Sequence, residues 1–373
     1  MQGKVILLAV GDIGPEREDP STIFDCVRGY LQGADVVFGQ LEAVLSHRGS
    51  QLPQARLACR AQPAVARALR EAGFTVISFA SNHCMDLGRE AFFDTIDALQ
   101  EQGLAVVGVG ANIEEARKPA FIERKGTRLA FLAYNSILPY GYWAQTDRPG
   151  CVPLRAHTYY EQIEHDQPGT PCRVHTFAHR GDLEAMVRDI EAAKRNADLV
   201  IVSIHWGIHF IPAVIADYQR EIARVAIDHG ADLILGHHAH ILKGIEVYAG
   251  KAIFYSLCNF ALELRATPEL LQSPRHKEIE VLNPDWVPDP EYPTYFLPRD
   301  SRKTAVAKCV IDEGRIAAVS FLPAYINPQA QPEILSSEDP RFGEVLEYMR
   351  RITADQGLNA TFRVEGDEVV IKG

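Results

Sequence analysis

Short unbroken runs of aliphatic residues alternate with stripes at helical spacing along most of the chain. Residues 5–10, Val-Ile-Leu-Leu-Ala-Val, form one such run, the pattern of a buried strand. The spacing then predicts a helix over 22–31, a strand over 35–38, and a helix over 63–72 with Pro63 in its first turn and Gly73 as its stop. A buried strand follows at 74–80. Further helices at 90–102, 182–195 and 217–229 alternate with strands at 104–107, 199–204 and 233–235. Lys125-Gly126, Ala249-Gly250 and Glu313-Gly314 each separate two apolar runs and predict hairpins of 121–123 with 128–134, 245–247 with 252–255, and 305–311 with 316–321. The tail reads as a helix near 342–352 and strands at 361–364 and 368–371.

Strand–helix units followed by hairpins predict an α/β protein with helices outside its sheets. The proline-rich stretch 268–299 has weak periodicity and reads as an inserted loop or lid. The sequence contains neither an internal repeat nor a low-complexity tract.

Composition changes this picture little. At 373 residues, 47% hydrophobic and 23% charged, the chain suits one large domain with appendages or two domains. Its formal net charge of -11 disfavours nonspecific binding to nucleic acid or anionic membranes, yet leaves an anionic small molecule or short polymer open as substrate of a metal site. The 7 cysteines are scattered without a Cys-x-x-Cys pair, which argues against a zinc knuckle or a disulfide framework and points to a reducing compartment. The first apolar run is too short for a signal-peptide core, and no segment approaches membrane-spanning length. The expectation is a soluble, cytoplasmic protein, with homo-oligomerisation left open.

Candidate chemistry collects where the predicted strands end. Asp12 follows the first strand, Glu42 the second, Asn82 and His83 the third, His205 a later one, and His237, His238 and His240 another. Ligands of open α/β sheets bind outside the carboxyl ends of strands, so these motifs are expected to meet at one edge. Carboxylate, amide oxygen and imidazole together suit a divalent transition ion such as Mn, Fe or Zn. A carboxylate can bridge two ions, and such a pair clamps the attacking and leaving oxygens of a displacement while activating water. Singly, each residue has an ordinary reading: Asp12 as a turn residue, Glu42 as an acid opening a helix, Asn82-His83 as a helix cap, His205-Trp206 as a buried aromatic pair. The three histidines of 236–240 resist such a reading, because clustered imidazoles repel when charged and a metal keeps them neutral. Arg60 reads either as a bidentate ligand for a substrate carboxylate or phosphate or as half of a surface salt bridge. The segment Tyr140-Gly141-Tyr142-Trp143 reads as a pocket lining or a packed loop, and Cys84 as a packed thiol.

The order Gly11-Asp12, Leu41-Glu42, Asn82-His83-x-x-Asp86-x-Gly88, His205-Trp206-Gly207 and Gly236-His237-His238-x-His240 resembles the CapA (poly-γ-glutamate synthesis) family, a branch of the calcineurin-like metallophosphatases. Leu69-Arg70-Glu71-Ala72-Gly73-Phe74 and Lys243-Gly244-Ile245-Glu246 are also similar to that family, and the resemblance runs from about residue 5 to 260, loosely to 321. It implies a four-layer α/β/β/α sandwich of metallophosphatase type over 1–325, carrying the 268–299 insertion, with 326–373 as a C-terminal extension. It implies Asp12 on a first metal, Glu42 at the bridging position, Asn82 and His205 on a second metal, and His238 and His240 as the paired histidines of the last motif. By the same resemblance His83 faces the substrate and assists the leaving group, and Asp86 orients it. His209 stands where many relatives have an acid, and His237 where many have glycine; both are placed with Arg60 on the substrate side. Asp12-Ile13-Gly14 lacks the histidine of the usual metallophosphatase first motif, so one or two ions are expected. Gln40 and Cys258 also replace the family's common Asn and Gly.

The function this implies is a metal-dependent hydrolase in which activated water attacks a phosphoester or another ester or amide bond. The alternatives are a non-hydrolytic part in poly-γ-glutamate or capsule biosynthesis, and amide-bond processing. The absence of a Gly-x-x-x-x-Gly-Lys-Ser/Thr loop weighs against ATP-driven ligation by this chain alone.

Overall fold

The aliphatic runs become the strands of two large sheets in the computed structural model, which describes residues 3–273, 276, 277, 280, 281, 283 and 286–373. In chain order these strands are β1 (Val5–Gly14), β2 (Val36–Leu41), β3 (Val76–Ser78), β4 (Ala105–Val107), β5 (Ala120–Arg124), β6 (Thr127–Asn135), β7 (Leu199–His205), β8 (Leu233–His237), β9 (Ile245–Tyr248), β10 (Lys251–Phe254), β11 (Asn259–Leu262), β12 (Lys303–Asp312), β13 (Arg315–Ile326), β14 (Pro332–Ile334), β15 (Thr361–Glu365) and β16 (Glu368–Lys372). The principal helices are α1 (Ala64–Ala72), α2 (Arg89–Glu101), α3 (Arg180–Lys194), α4 (Asp217–Asp228) and α5 (Pro340–Ala354).

The ten-stranded sheet runs β15-β16-β13-β12-β1-β2-β3-β4, with β11 beside the end of β1 and β14 on β13. The six-stranded sheet runs β9-β10-β8-β7-β6-β5. Strands β1 to β4 are mutually parallel, as are β6, β7, β8 and β10, so within each sheet their carboxyl ends share one edge.

Period-2 alternation decides the layers. Leu129, Phe131, Leu199, Ile201, Leu233 and Leu235 join the apolar cluster shared with the ten-stranded sheet. Their neighbours Ala130, Leu132, Val200, Val202 and Ile234 join a second cluster with Met186 and Ile190 of α3 and Ile222 and Ala226 of α4. Phe38 of β2 stacks on Phe131 of β6 across the sheet interface, 5.8 Å apart and nearly coplanar at 4°. Truncating either ring is expected to cost about 3–5 kcal/mol. On the far side of the ten-stranded sheet, Phe24 meets Phe74 edge-on at 5.7 Å, and Val65 and Leu69 of α1 are buried in the same cluster. Helix, sheet, sheet and helix make the expected four-layer sandwich.

The structure departs from the sequence expectations in places. The helix expected over 22–31 is broken into a 3-10 turn, Pro20–Phe24, and a short helix, Arg28–Gln32. Asp19 caps the turn by accepting from Ser21 N, Pro20 sits in its first position, and the break lets Ile23, Phe24, Val27 and Leu31 all bury. A hairpin of Ala156–Gln162 with Cys172–Ala178 had no sequence signal, because Tyr159, Tyr160, Val174 and Phe177 remain exposed and no apolar face alternates. Tyr218 N donates to Thr176 Oγ1 at 3.1 Å and ties this hairpin to α4.

Part of the 268–299 stretch lies outside the described residues. Its beginning is a helical turn, Pro268–Gln272, capped by Thr267. Its end is bound to the body of the protein, with Leu264 N donating to Thr294 O and Phe296 N to Leu264 O. The C-terminal strands β15 and β16 extend the ten-stranded sheet through β13, where Ser320 faces Val370. Among the described residues no helix is long and apolar enough to cross a membrane.

Candidate metal centre

Two pairs of parallel strands, one pair from each sheet, deliver most of the polar cluster. Asp12 lies near the end of β1, Glu42 directly after β2, His205 ends β7 and His237 ends β8. His205 stands opposite His237 in the strand register, and Asp12 opposite both Gln40 and Asn259. Two glycines allow the backbones to approach this closely. A Cβ on Gly11 would lie 2.1 Å from Cys258 O, and one on Gly236 would lie 2.2 Å from Tyr255 O. Beyond β8 the chain takes positive φ at His238 (85°) and His240 (53°), and Cys258 beside them does the same (65°). Such conformations cost roughly 1–3 kcal/mol each and recur at functional sites. Here they bring His238 N to 3.1 Å and His240 Nδ1 to 3.6 Å from Asp12 Oδ2.

The cluster has two halves joined by Glu42. In one half Asn82 Oδ1 lies 2.6 Å from His205 Nε2 and 3.1 Å from His238 Nδ1, and the two ring nitrogens are 3.1 Å apart. An amide oxygen only accepts, and if both nitrogens carried hydrogens toward it those hydrogens would crowd one another. In the other half Asp12 meets His237 Nδ1 at 3.1 Å, and His240 Nδ1 meets Asn259 Oδ1 at 2.7 Å. Glu42 Oε1 is 3.4 Å from His205 Nδ1, but neither Glu42 oxygen nor that nitrogen has a well-formed hydrogen bond. All these side chains are buried.

Burial, and then the neighbouring Asp12, push the Glu42 carboxyl up to about 8. Burial, reinforced by the surrounding imidazoles, pushes His205 well below the usual histidine value and keeps it neutral. Imidazoles, with His205 neutral among them, an amide oxygen, and two carboxylates of which Glu42 lacks hydrogen-bond partners are the donor set of a transition cation, and a cation there removes the cost of leaving Glu42 unsatisfied. Asp12, Glu42 and His205 each place a ligand atom within 4.8 Å of the other two. The residues present therefore fit a metal ion.

Beside the donors stands a second group. His83 Nδ1 is 2.6 Å from Asp86 Oδ2, Tyr142 donates its hydroxyl to Asp86 Oδ1 at 2.9 Å, and Cys59 N donates to Asp86 Oδ2 at 3.1 Å. Burial opposes a charged His83, but Cys59 and Asp86 together outweigh it and raise its pKa well above the usual value. His83 Nε2 lies 4.0 Å from Glu42 Oε2. His83 borders two pockets, one with Asn82, His238, His209, Arg56 and Tyr140, the other with His240, Phe210 and the described part of the 268–299 stretch.

Asp12, Glu42, Asn82, His205, His238 and His240 thus converge, with His83 and Asp86 alongside. The residues expected on the substrate side part ways. The His209 ring lies over His238, centroids 3.9 Å apart, and borders a pocket. His237 does not border either pocket; it is fully buried behind Asp12, against Phe38 at 6.0 Å. Arg60 borders a pocket, but its terminal nitrogens donate to the carbonyls of Ser46, Arg48 and Gly49, so it closes that loop rather than presenting a fork to an anion.

Three residues had been given no role. Asn259, the residue after Cys258, binds His240 and donates to Tyr295 Oη at 2.7 Å. Tyr142 lies in the aromatic segment already singled out. Cys59 had no signal, because its closeness to Asp86 arises from packing alone.

Residues 6–263 match the profile of the family described as bacterial capsule synthesis protein PGA_cap. The PGA biosynthesis protein CapA of Bacillus subtilis (strain 168) is 30% identical over 250 residues, covering 66% of this chain and 58% of that protein. The capsule biosynthesis protein CapA of Bacillus anthracis is 30% identical over 244 residues, covering 65% and 54%. The chain spans just over half the length of these curated relatives. Among solved structures, the calcineurin-like phosphoesterase YfkN from Bacillus subtilis overlaps 95% of this chain and 98% of that one, at a TM-score of 0.45 and 11% identity. That overlap is loose, and the fold described above stands on its own sheet topology.

Proposed function

Given that the chain belongs to the bacterial capsule synthesis family PGA_cap, we propose that it is a metal-dependent hydrolase acting on a phosphoester, with other ester and amide bonds as the next class. The observation that carries this reading is the approach of Asn82 Oδ1, His205 Nε2 and His238 Nδ1 to within 3.1 Å of one another beside a Glu42 whose oxygens lack hydrogen bonds.

Asp12, Glu42, Asn82, His205, His238 and His240 would hold one or two ions of Mn, Fe or Zn. When bound, such an ion supplies Lewis acidity and makes water a nucleophile near neutral pH. The remaining work falls to the chain's own groups. Asp86, fixed by the Tyr142 hydroxyl and the Cys59 amide, holds the proton on His83 Nδ1. That leaves Nε2 toward the two pockets, where a cationic His83 donates a proton to the departing oxygen or nitrogen. Asn259 keeps His240 in one orientation. The low exposure of the cluster keeps bulk water from competing for these contacts.

The names of the relatives favour a second reading, a non-hydrolytic part in making poly-γ-glutamate or capsule. Elemental analysis of the purified protein, paired with a phosphoester assay with and without added Mn, separates the two. Bound metal with metal-dependent turnover is the expected result. Bound metal without phosphoester turnover moves the reading to ester or amide chemistry, and absence of metal after reconstitution favours the biosynthetic role.

A further inference from the structure

The pocket on the His240 side of the centre has an apolar, aromatic wall. Trp286 and Phe296 stack 4.7 Å apart, and Phe210 meets Trp286 at 5.7 Å and His240 at 5.7 Å. Leu57, Leu264 and Leu297 complete the lining. One unbroken line of rings therefore runs from a candidate metal ligand to the 268–299 stretch. That stretch is bonded to the site, since Tyr295 accepts from Asn259 and donates its own hydroxyl to Ser301 O at 2.6 Å.

The charges around this pocket suit an uncharged group. Glu263 is held by Arg17, with Nε to Oε2 at 3.2 Å, and by Glu16 N at 2.8 Å. Burial pushes the Glu16 carboxyl up. Arg60 is the one lysine or arginine among the described lining residues, and its terminal nitrogens are bound to carbonyls. A poly-γ-glutamate chain carries a carboxylate on every residue and would meet here Glu16, Glu42 and Glu263, with His83 at the inner end as the lining group, besides the bound Arg60, that is held cationic.

We infer that this pocket receives a flat, apolar ring attached to the bond that the centre cleaves, so that the substrate is an aryl-type ester rather than a polyglutamate chain. This rests on the hydrolase reading for the bond, but the pocket's preference for a ring does not. Aromatic walls recognise a ring through area burial and stacked or edge-on contact. Glu16 and Glu263 at the rim offer a carboxylate no positive partner.

The test uses the manganese-loaded protein and two ligands that cannot be hydrolysed, phenylphosphonate and methylphosphonate, titrated by calorimetry. The phenyl compound is expected to bind at least about tenfold more tightly, from the area of one buried ring. Leu264→Asp should erase that ratio, weakening phenylphosphonate far more than methylphosphonate. Trp286→Ala should reduce the ratio as well, which covers the case in which Leu264→Asp fails to fold. Equal affinities in the wild type, or a ratio unmoved by both variants, overturns the proposal. If neither phosphonate binds, it is the phosphoester reading that has failed, and benzyl alcohol replaces them. Ring binding that Leu264→Asp or Trp286→Ala removes then still upholds the pocket, and its absence overturns it.

Discussion

The donor cluster and the ring-lined pocket meet at His83 and His240, yet they are built on opposite terms. In the cluster, buried polar atoms lie close together without enough hydrogen bonds among them, as with Glu42 and His205 Nδ1. Such an arrangement is costly unless a cation is bound. In the pocket, the charged groups are bound to one another or to backbone, and the surface left over is carbon. The first region is defined by what it lacks and the second by what it has already satisfied. Under the proposed function chemistry is thereby separated from selection: the cluster would act on any suitably placed bond, and the pocket would decide which bond arrives.

If that separation holds, substitutions in the two regions fall into different classes. The largest effect is expected for His205→Ala, which removes a ring that meets Asn82 through Nε2 and Glu42 through Nδ1. Metal content and turnover should fall together, by more than about a hundredfold in affinity, read by elemental analysis and assay. Retained metal would remove His205 from the donor set. His83→Ala comes next. It should keep its metal but turn over about 10²- to 10⁴-fold more slowly, and full activity on every substrate found would remove His83 from the reaction. Asn259→Ala frees the His240 ring and should weaken metal binding roughly 10- to 100-fold, measured by competition with a chelator. Unchanged affinity would make Asn259 a packing residue only.

The pH dependence of metal loading is a finer probe. The Glu42 carboxyl titrates at about 8 in the metal-free fold, against 4.5 ordinarily. Its pKa is raised on folding, so its contribution to metal-free stability is complete below about 4.5 and lost as the pH rises through about 8. Loading metal near neutral pH must then expel that proton. Calorimetry in two buffers of different ionisation enthalpy should detect roughly one proton released per site loaded, and affinity should climb with pH up to about 8. The smallest effect belongs to Trp286→Ala, which should leave metal content unchanged; lost metal there would break the division between the two regions.

Much of this was legible in the chain. Runs such as 5–10 and 199–204 announce buried strands, and a ligand-type residue at the end of each is a local feature that the parallel topology then gathers. His238 and His240 are readable for the same reason. The 156–162 and 172–178 hairpin was not readable, because a strand pair with both faces largely in water needs no apolar alternation. Nor was the broken helix at 20–32, where burying consecutive side chains overrode the helical spacing.

By itself the sequence determined the order of strands and helices, the edge on which the donors meet and the kinds of donor, because each follows from periodicity and from the residue that ends a strand; the four layers were implied by the family resemblance. Only the tertiary structure decided what each candidate does there. Arg60 and His237 have the right chemistry for a substrate, but long-range packing gives Arg60 three carbonyls and puts His237 behind Asp12. Asn259, Tyr142 and Cys59 acquire partners 19, 56 and 27 residues away. A hydrogen bond across such a separation depends on how two sheets and an insertion close on one another, and no local pattern encodes that.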